Sequence, residues 1–150
     1  MFNRRDAETQ RKMEIGNQYT REEIAAELGG SAVEYLPRAN GRVVCACLRM
    51  DYNPDAPEII LAGFGPQIEE SAAMLCKQRG IIPVFIKRNT NAWESVGDFE
   101  VEKCSTDPGE IKKQEVRSGR SGKEGISRII YLKEISKDKP PRLRASAVNN

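Results

Sequence analysis

Histidine is absent from all 150 residues. Its absence removes the commonest general base, and with it every Ser–His, Cys–His and His–metal arrangement. Long apolar runs are missing too: Ile59 to Ala62 and Ile81 to Ile86 are among the longest, far short of the ~20 residues a membrane-spanning helix needs. The opening residues, Met1 to Asp6, lead into polar sequence with no apolar signal region, so the chain is expected to stay inside the cell. Cysteine is sparse, at positions 45, 47, 76 and 104 with no C-x-x-C, which predicts free thiols and no zinc site. Cys45 and Cys47, two apart in an apolar run, are expected to pack on one face of a strand.

Phosphate-binding signatures are equally thin. There is no Walker A, and Gly63-Phe64-Gly65 lacks the third glycine of a dinucleotide fingerprint, although a phosphate on the helix that follows stays open. Glu69 and Glu70 diverge by about 100° around a helix and do not converge on one metal. Asp98, Glu100 and Lys103 do not have the spacing of a nuclease triad. These absences predict a binding domain with no catalysis, no metal and no cofactor.

What is present fits one domain with one core. Net charge is only +2, from 24 basic and 22 acidic residues, so any footprint for a polyanion must be local. Positive charge does gather at Arg117, Arg120, Lys123 and Arg128, and again at Lys137, Lys139, Arg142 and Arg144. Residues 1–18 read as a flexible lead, 19–135 as the folded domain and 136–150 as a disordered basic tail. Thr20-Arg21-Glu22-Glu23 has the form of a capping box opening a helix that Gly29-Gly30 stops. Arg42–Met50 and Glu58–Ala62 read as strands. Pro66 suits the first position of a second helix, with Ile68, Ala72, Leu75 and Cys76 as its buried stripe and Gly80 as its end. Ile81–Lys87 is a strand whose Pro83 requires an edge or a bulge, and Ser95–Lys103 is another, bulged at Gly97. Asp107-Pro108 starts a short turn to Lys112, Arg117–Gly125 reads as a mobile loop, and Ile126–Ile135 is the last strand. The pattern predicts an α+β fold: a curved, mostly antiparallel sheet or barrel with two flanking helices.

Several of these segments occur in a familiar order. Tyr19-x-Arg21 before a short helix, Gly29-Gly30, a strand ending in Gly63-x-Gly65, Ile82-Pro83-Val84-Phe85-Ile86-Lys87 and Val96-Gly97-Asp98-Phe99 together resemble an SRA-like, PUA-superfamily domain. The version resembled is the one carried by McrA-type modification-dependent restriction endonucleases. The resemblance implies a PUA-like barrel that binds DNA and flips a modified base into an aromatic-lined pocket. It assigns stacking to Tyr52, Phe64 and Trp93, beside the Gly65 turn. It gives reading of the base edge to Asp51, Asn53, Gln67 or Asp98, and holding of phosphates to Lys87, Arg88, Arg117 and Arg120. The family's Gln-x-Gly-Asp stretch is here Pro66-Gln67-Ile68-Glu69, leaving no counterpart for its aspartate. Without histidine there is no HNH nuclease, so cleavage would come from a protein partner.

Other readings coexist with this one. Trp93, beside the polar stretch Asn89-Thr90-Asn91, is open between pocket wall and core, and Phe64 between stacking ring and core anchor. Phe85 reads as core, and Lys87 as a solvated strand end in the alternative. A protein-interaction domain anchored by Trp93 and Phe64 is the main rival; a small enzyme acting on nucleotides is the third.

Overall fold

The computed structural model describes residues 13–135. Residues 1–12 of the expected lead and the expected tail 136–150 lie outside this range. The rest of the lead is held in place: the Gly16 amide donates to Ser95 O at 2.8 Å, and the Ser95 amide to Asn17 O at 2.9 Å. These bonds run into a short strand, β1 (Gln18–Tyr19).

The capping box at Thr20 forms as its residue types require. Thr20 Oγ1 accepts from the Glu23 amide at 3.0 Å while Glu23 Oε1 accepts from the Thr20 amide at 2.9 Å, and α1 (Arg21–Leu28) follows. The expected strand over Arg42–Met50 is instead broken. β2 (Arg38–Ala39) and β3 (Arg42–Val43) form a hairpin around Asn40-Gly41, and β4 (Ala46–Leu48) resumes separately. After β5 (Ile59–Ala62), α2 (Pro66–Lys77) begins at Pro66. It ends before Gly80 because Gln78 turns extended and its amide side chain bonds both Val43 N and Val43 O, at 2.8 and 2.9 Å. Ala72 and Leu75 are buried as expected, but Ile68 faces outward.

β6 (Ile82–Asn89) and β7 (Ala92–Ser105) form a hairpin whose two-residue turn, Thr90-Asn91, holds Asn91 at φ +47°. The polar stretch around Trp93 is therefore only a tight turn, and Trp93 already lies in β7. Pairing slips between Val84–Gly97 and Phe85–Ser95, leaving Val96 as the extra residue beside Gly97, whose φ is +122°. Pro83 sits next to this bulge and beyond the reach of β4, which pairs only with Val84–Ile86.

The region expected as a short turn and mobile loop is largely helical. α3 (Pro108–Ser118) starts at Asp107, which caps the Glu110 amide at 3.0 Å, and closes on Gly119 in the left-handed region at φ +74°. No residue of α3 is fully buried, and its half-buried side is mostly polar, with Ile111 packed on the Leu61–Ile129 cluster, so it lacks the apolar stripe that would have announced it. A 3-10 turn at Gly122–Glu124 precedes β8 (Arg128–Ile135). Among the described residues there are thus three α-helices rather than two.

The six-stranded sheet runs β4-β6-β7-β8-β5, with β1 added to β7. Only β4 and β6 are parallel neighbours, so the mostly antiparallel expectation holds. Alternation along the strands feeds two faces. Ala46, Ile60, Val84 and Ile130 join the main core with Leu75 of α2. Their sequence neighbours face away: Cys47 and Phe85 pack with Ile24 and Trp93, and Leu61 and Ile129 with Ile126.

The cysteine expectation divides. Cys45 and Cys47 are free and buried in one cluster, but Cys76 of α2 and Cys104 of β7 form a disulfide. Their separation of 28 residues gave no local sign of the pairing.

A methyl group at Gly97 would sit 3.2 Å from Glu134 Oε2 on a backbone at positive φ. Gly97→Ala should cost on the order of 1–3 kcal/mol in urea unfolding, an effect that a freely adaptable bulge would not show.

Candidate nucleic-acid interface

The two edge strands meet around a single hollow. Cys47 of β4 and Leu61 of β5 both line a cavity of about 500 Å³, closed at its sides by the loop after β4 and the start of α2. That volume lies within the range typical of small-ligand pockets. Tyr52, Asn53, Phe64, Gln67, Trp93 and Arg120, all named from sequence, line this one cavity.

Their individual settings differ from the expected roles. Phe64 is 52% exposed and Tyr52 38%, so both rings present surface at the mouth. Trp93 is only 6% exposed and packs with Ile24, Cys45, Cys47 and Phe85. It is a cavity wall and core residue, with Arg21 and Lys87 over its ring at 5.1 and 5.9 Å, and it neither offers an open stacking face nor serves as a surface anchor. The Asn53 amide is spent internally, donating to Arg49 O at 3.0 Å and accepting from the Leu61 amide at 2.9 Å. Gln67 projects from the first turn of α2 and makes no hydrogen bond through its side chain to other described residues.

The expected phosphate cations are mostly engaged elsewhere. Arg117 forms a two-pronged pair with Asp55 at 2.7 and 2.8 Å, holding the Asp55 carboxyl below the usual carboxylate range. Arg88 pairs with Glu94 at 2.7 Å. Asp51 pairs with Arg49 at 2.6 Å, which likewise keeps its carboxyl low. Lys87, Arg88, Asp98 and Arg117 do not line the cavity, nor does Gly65, which caps α2 at φ +133° while Gly63 supplies the wall.

Arg120 is 7% exposed and turned inward. Its guanidinium donates to Glu124 O at 2.8 Å, to Tyr52 O and Leu61 O at 2.9 Å each, and to Gly125 O at 3.2 Å. Burial lowers its pKa, with Glu124 and Tyr52 opposing. It builds the site rather than reaching out of it, a role its place in a glycine-rich basic segment did not reveal.

Sequence reasoning passed over several wall residues. Tyr35 donates its hydroxyl to Ile68 O at 2.8 Å, and burial pushes its phenol well above the ordinary value, so it stays neutral. Cys47 shares a hydrogen bond with Cys45; that bond and burial keep Cys45 protonated. Lys123 lines the mouth, and Arg21 lines the inner wall. The signal for Arg21 was available, since it follows the capping Thr20 directly.

Replacing Arg120 strands buried carbonyls from several segments. Arg120→Ala should lower unfolding stability on the order of 3 kcal/mol, and Arg120→Lys should recover little, because an ammonium lacks the planar fork. Equal urea midpoints for wild type and Arg120→Ala would refute this structural role.

No family model and no curated protein matches the chain. Among solved structures, the SRA domain of SUVH5, crystallised with hemimethylated CG DNA, matches at a TM-score of 0.55 and 13% identity, over 85% of this chain and 91% of that one. The likeness is one of fold: a mixed α+β architecture, multi-stranded with flanking helices, of the PUA-like kind.

Proposed function

We propose that this chain is a reader of modified DNA that takes one extruded base into the cavity between β4 and β5. The observation that carries the reading is the cavity itself: about 500 Å³, with two exposed aromatic rings at its mouth, on a fold that SUVH5 uses in a complex with hemimethylated DNA. Extruding a base costs a few kcal/mol, and stacking on an aromatic ring returns roughly 1–3 kcal/mol per base. Phe64 supplies the stacking surface, while the Tyr52 ring, with the Arg49 and Arg120 guanidiniums over it at 4.9 and 5.6 Å, forms the wall beside it. Gln67 is the amide free to read the base edge. Lys123 stands at the mouth for a flanking phosphate.

In this reading the chain binds without cutting, as a module of the kind found in modification-dependent restriction systems, and a separate protein supplies the nuclease. The main rival, a protein-interaction domain, is weakened because Trp93 is buried rather than displayed.

Fluorescence anisotropy with unmodified, methylated and hydroxymethylated duplexes across a salt series tests the proposal. Salt-sensitive binding that favours a modified duplex is expected, since phosphate contacts release counterions. Phe64→Ala should weaken that binding by about tenfold and leave the melting temperature close to wild type, because the ring is half exposed. Failure to bind any duplex would end the proposal.

A further inference from the structure

Two buried donors on the cavity wall have no acceptor: Arg21 Nε and Trp93 Nε1. Both side chains line the cavity, and the Arg21 guanidinium carbon lies 5.1 Å from the Trp93 ring centroid. Arg21 is 6% exposed. Its Nη2 donates to Ser31 O at 3.0 Å and Glu34 O at 2.7 Å. No carboxylate among the described residues lies within ion-pair distance of it, whereas Arg38, Arg49, Arg88 and Arg117 each have one.

The contrast with Arg120, the other buried arginine, is informative. Arg120 has acceptors on all three of its nitrogens, so its burial is fully hydrogen-bonded. Arg21 is left with a bare nitrogen and no counter-charge, a costly state in a low-dielectric wall. Its position is not accidental to a loose side chain. The Arg21 amide donates to Asn91 Oδ1 at 2.9 Å, and Asn91 Nδ2 donates to Glu22 Oε1 at 3.0 Å, so the β6–β7 turn clamps the start of α1.

We propose that the ligand supplies the missing counter-charge: an oxyanion seated against Arg21, carried either on the base as a carboxylate substituent or by the phosphate of the bound nucleotide. This rests on the reading that the cavity takes a nucleotide, and it names the chemistry that the inner wall selects. A guanidinium binds an oxyanion through charge-assisted hydrogen bonds, roughly twice as strong as those to neutral acceptors. Glu34 lines the same cavity, and its carboxylate, though 3.9 Å from Arg38 Nε, opposes a second anion there.

The full-length chain is titrated with duplexes carrying one 5-methyl-, 5-hydroxymethyl- or 5-carboxylcytosine, and with cytidine against cytidine 5′-monophosphate. A base-borne anion predicts about tenfold tighter binding of the carboxylated duplex than of the methylated one; a phosphate-borne anion predicts a similar gain of the monophosphate over cytidine. Either preference should fall to within about twofold in Arg21→Met and grow in Glu34→Gln. Wild-type protein with neither preference overturns the proposal, as does Arg21→Met that melts like wild type and keeps the preference. Should Arg21→Met fail to fold, Glu34→Gln decides: an unchanged preference overturns the idea. If no duplex binds while the monophosphate preference remains dependent on Arg21, the DNA-reading proposal falls and the oxyanion seat stands.

Discussion

Arg120 bridges separate stretches of chain through one planar cation. Tyr52 belongs to the loop after β4, Leu61 to the edge strand β5, and Glu124 and Gly125 to the turn before β8; all four carbonyls converge on its guanidinium. Sheet pairing does not fix the Tyr52 loop against β5, since β4 and β5 are opposite edges of the sheet; the Arg120 fork does so together with Asn53 Oδ1, which accepts from the Leu61 amide at 2.9 Å. The mouth of the cavity, including the Tyr52 ring, therefore depends on a buried hydrogen-bond hub. Because Arg120 donates to backbone groups and not to a carboxylate, the hub is specific in geometry while leaving positive charge near the cavity.

The sheet reaches this arrangement through β7. At 14 residues it is long enough to pair with β6 over its first half and β8 over its second, with β1 alongside β8 on the same edge. The bulge at Val96-Gly97 falls near the hand-over between these partners, and bulges increase local twist and bend the strand. Curvature of this central strand swings the two edges toward each other, so that Cys47 and Leu61 come to line one space.

Features written in local chemistry were legible from sequence. The capping box at Thr20, Pro66 at a helix start and Gly97 at a bulge each follow from what one or a few adjacent residues can do. The joint lining of one cavity by Tyr52, Phe64, Gln67 and Trp93 was reached through the order of motifs. Features that depend on distant partners were not legible. Arg120 meets carbonyls 59 and 68 positions away, and Arg117 meets Asp55 at a separation of 62, so both looked like free surface cations. Trp93 was obscured because a polar two-residue hairpin turn has the composition of a loop. α3 was obscured because its half-buried face, Glu110, Ile111, Gln114, Glu115 and Ser118, carries one apolar residue among polar ones and so gives no hydrophobic period.

The pairing of surface charges bears on how such a site would find its ligand. Arg88, Arg117 and Arg49 are held by Glu94, Asp55 and Asp51, so contact with a phosphate would have to compete with a carboxylate already in place. Such exposed pairs are weak, and a phosphate backbone can displace them, but the net gain per contact is reduced. Electrostatic attraction to any duplex is correspondingly limited, in keeping with the chain's net charge of only +2. In the proposed reading discrimination would then fall to the cavity, where the exposed Phe64 ring, the free Gln67 amide and the buried Arg21 guanidinium would act on one bound group.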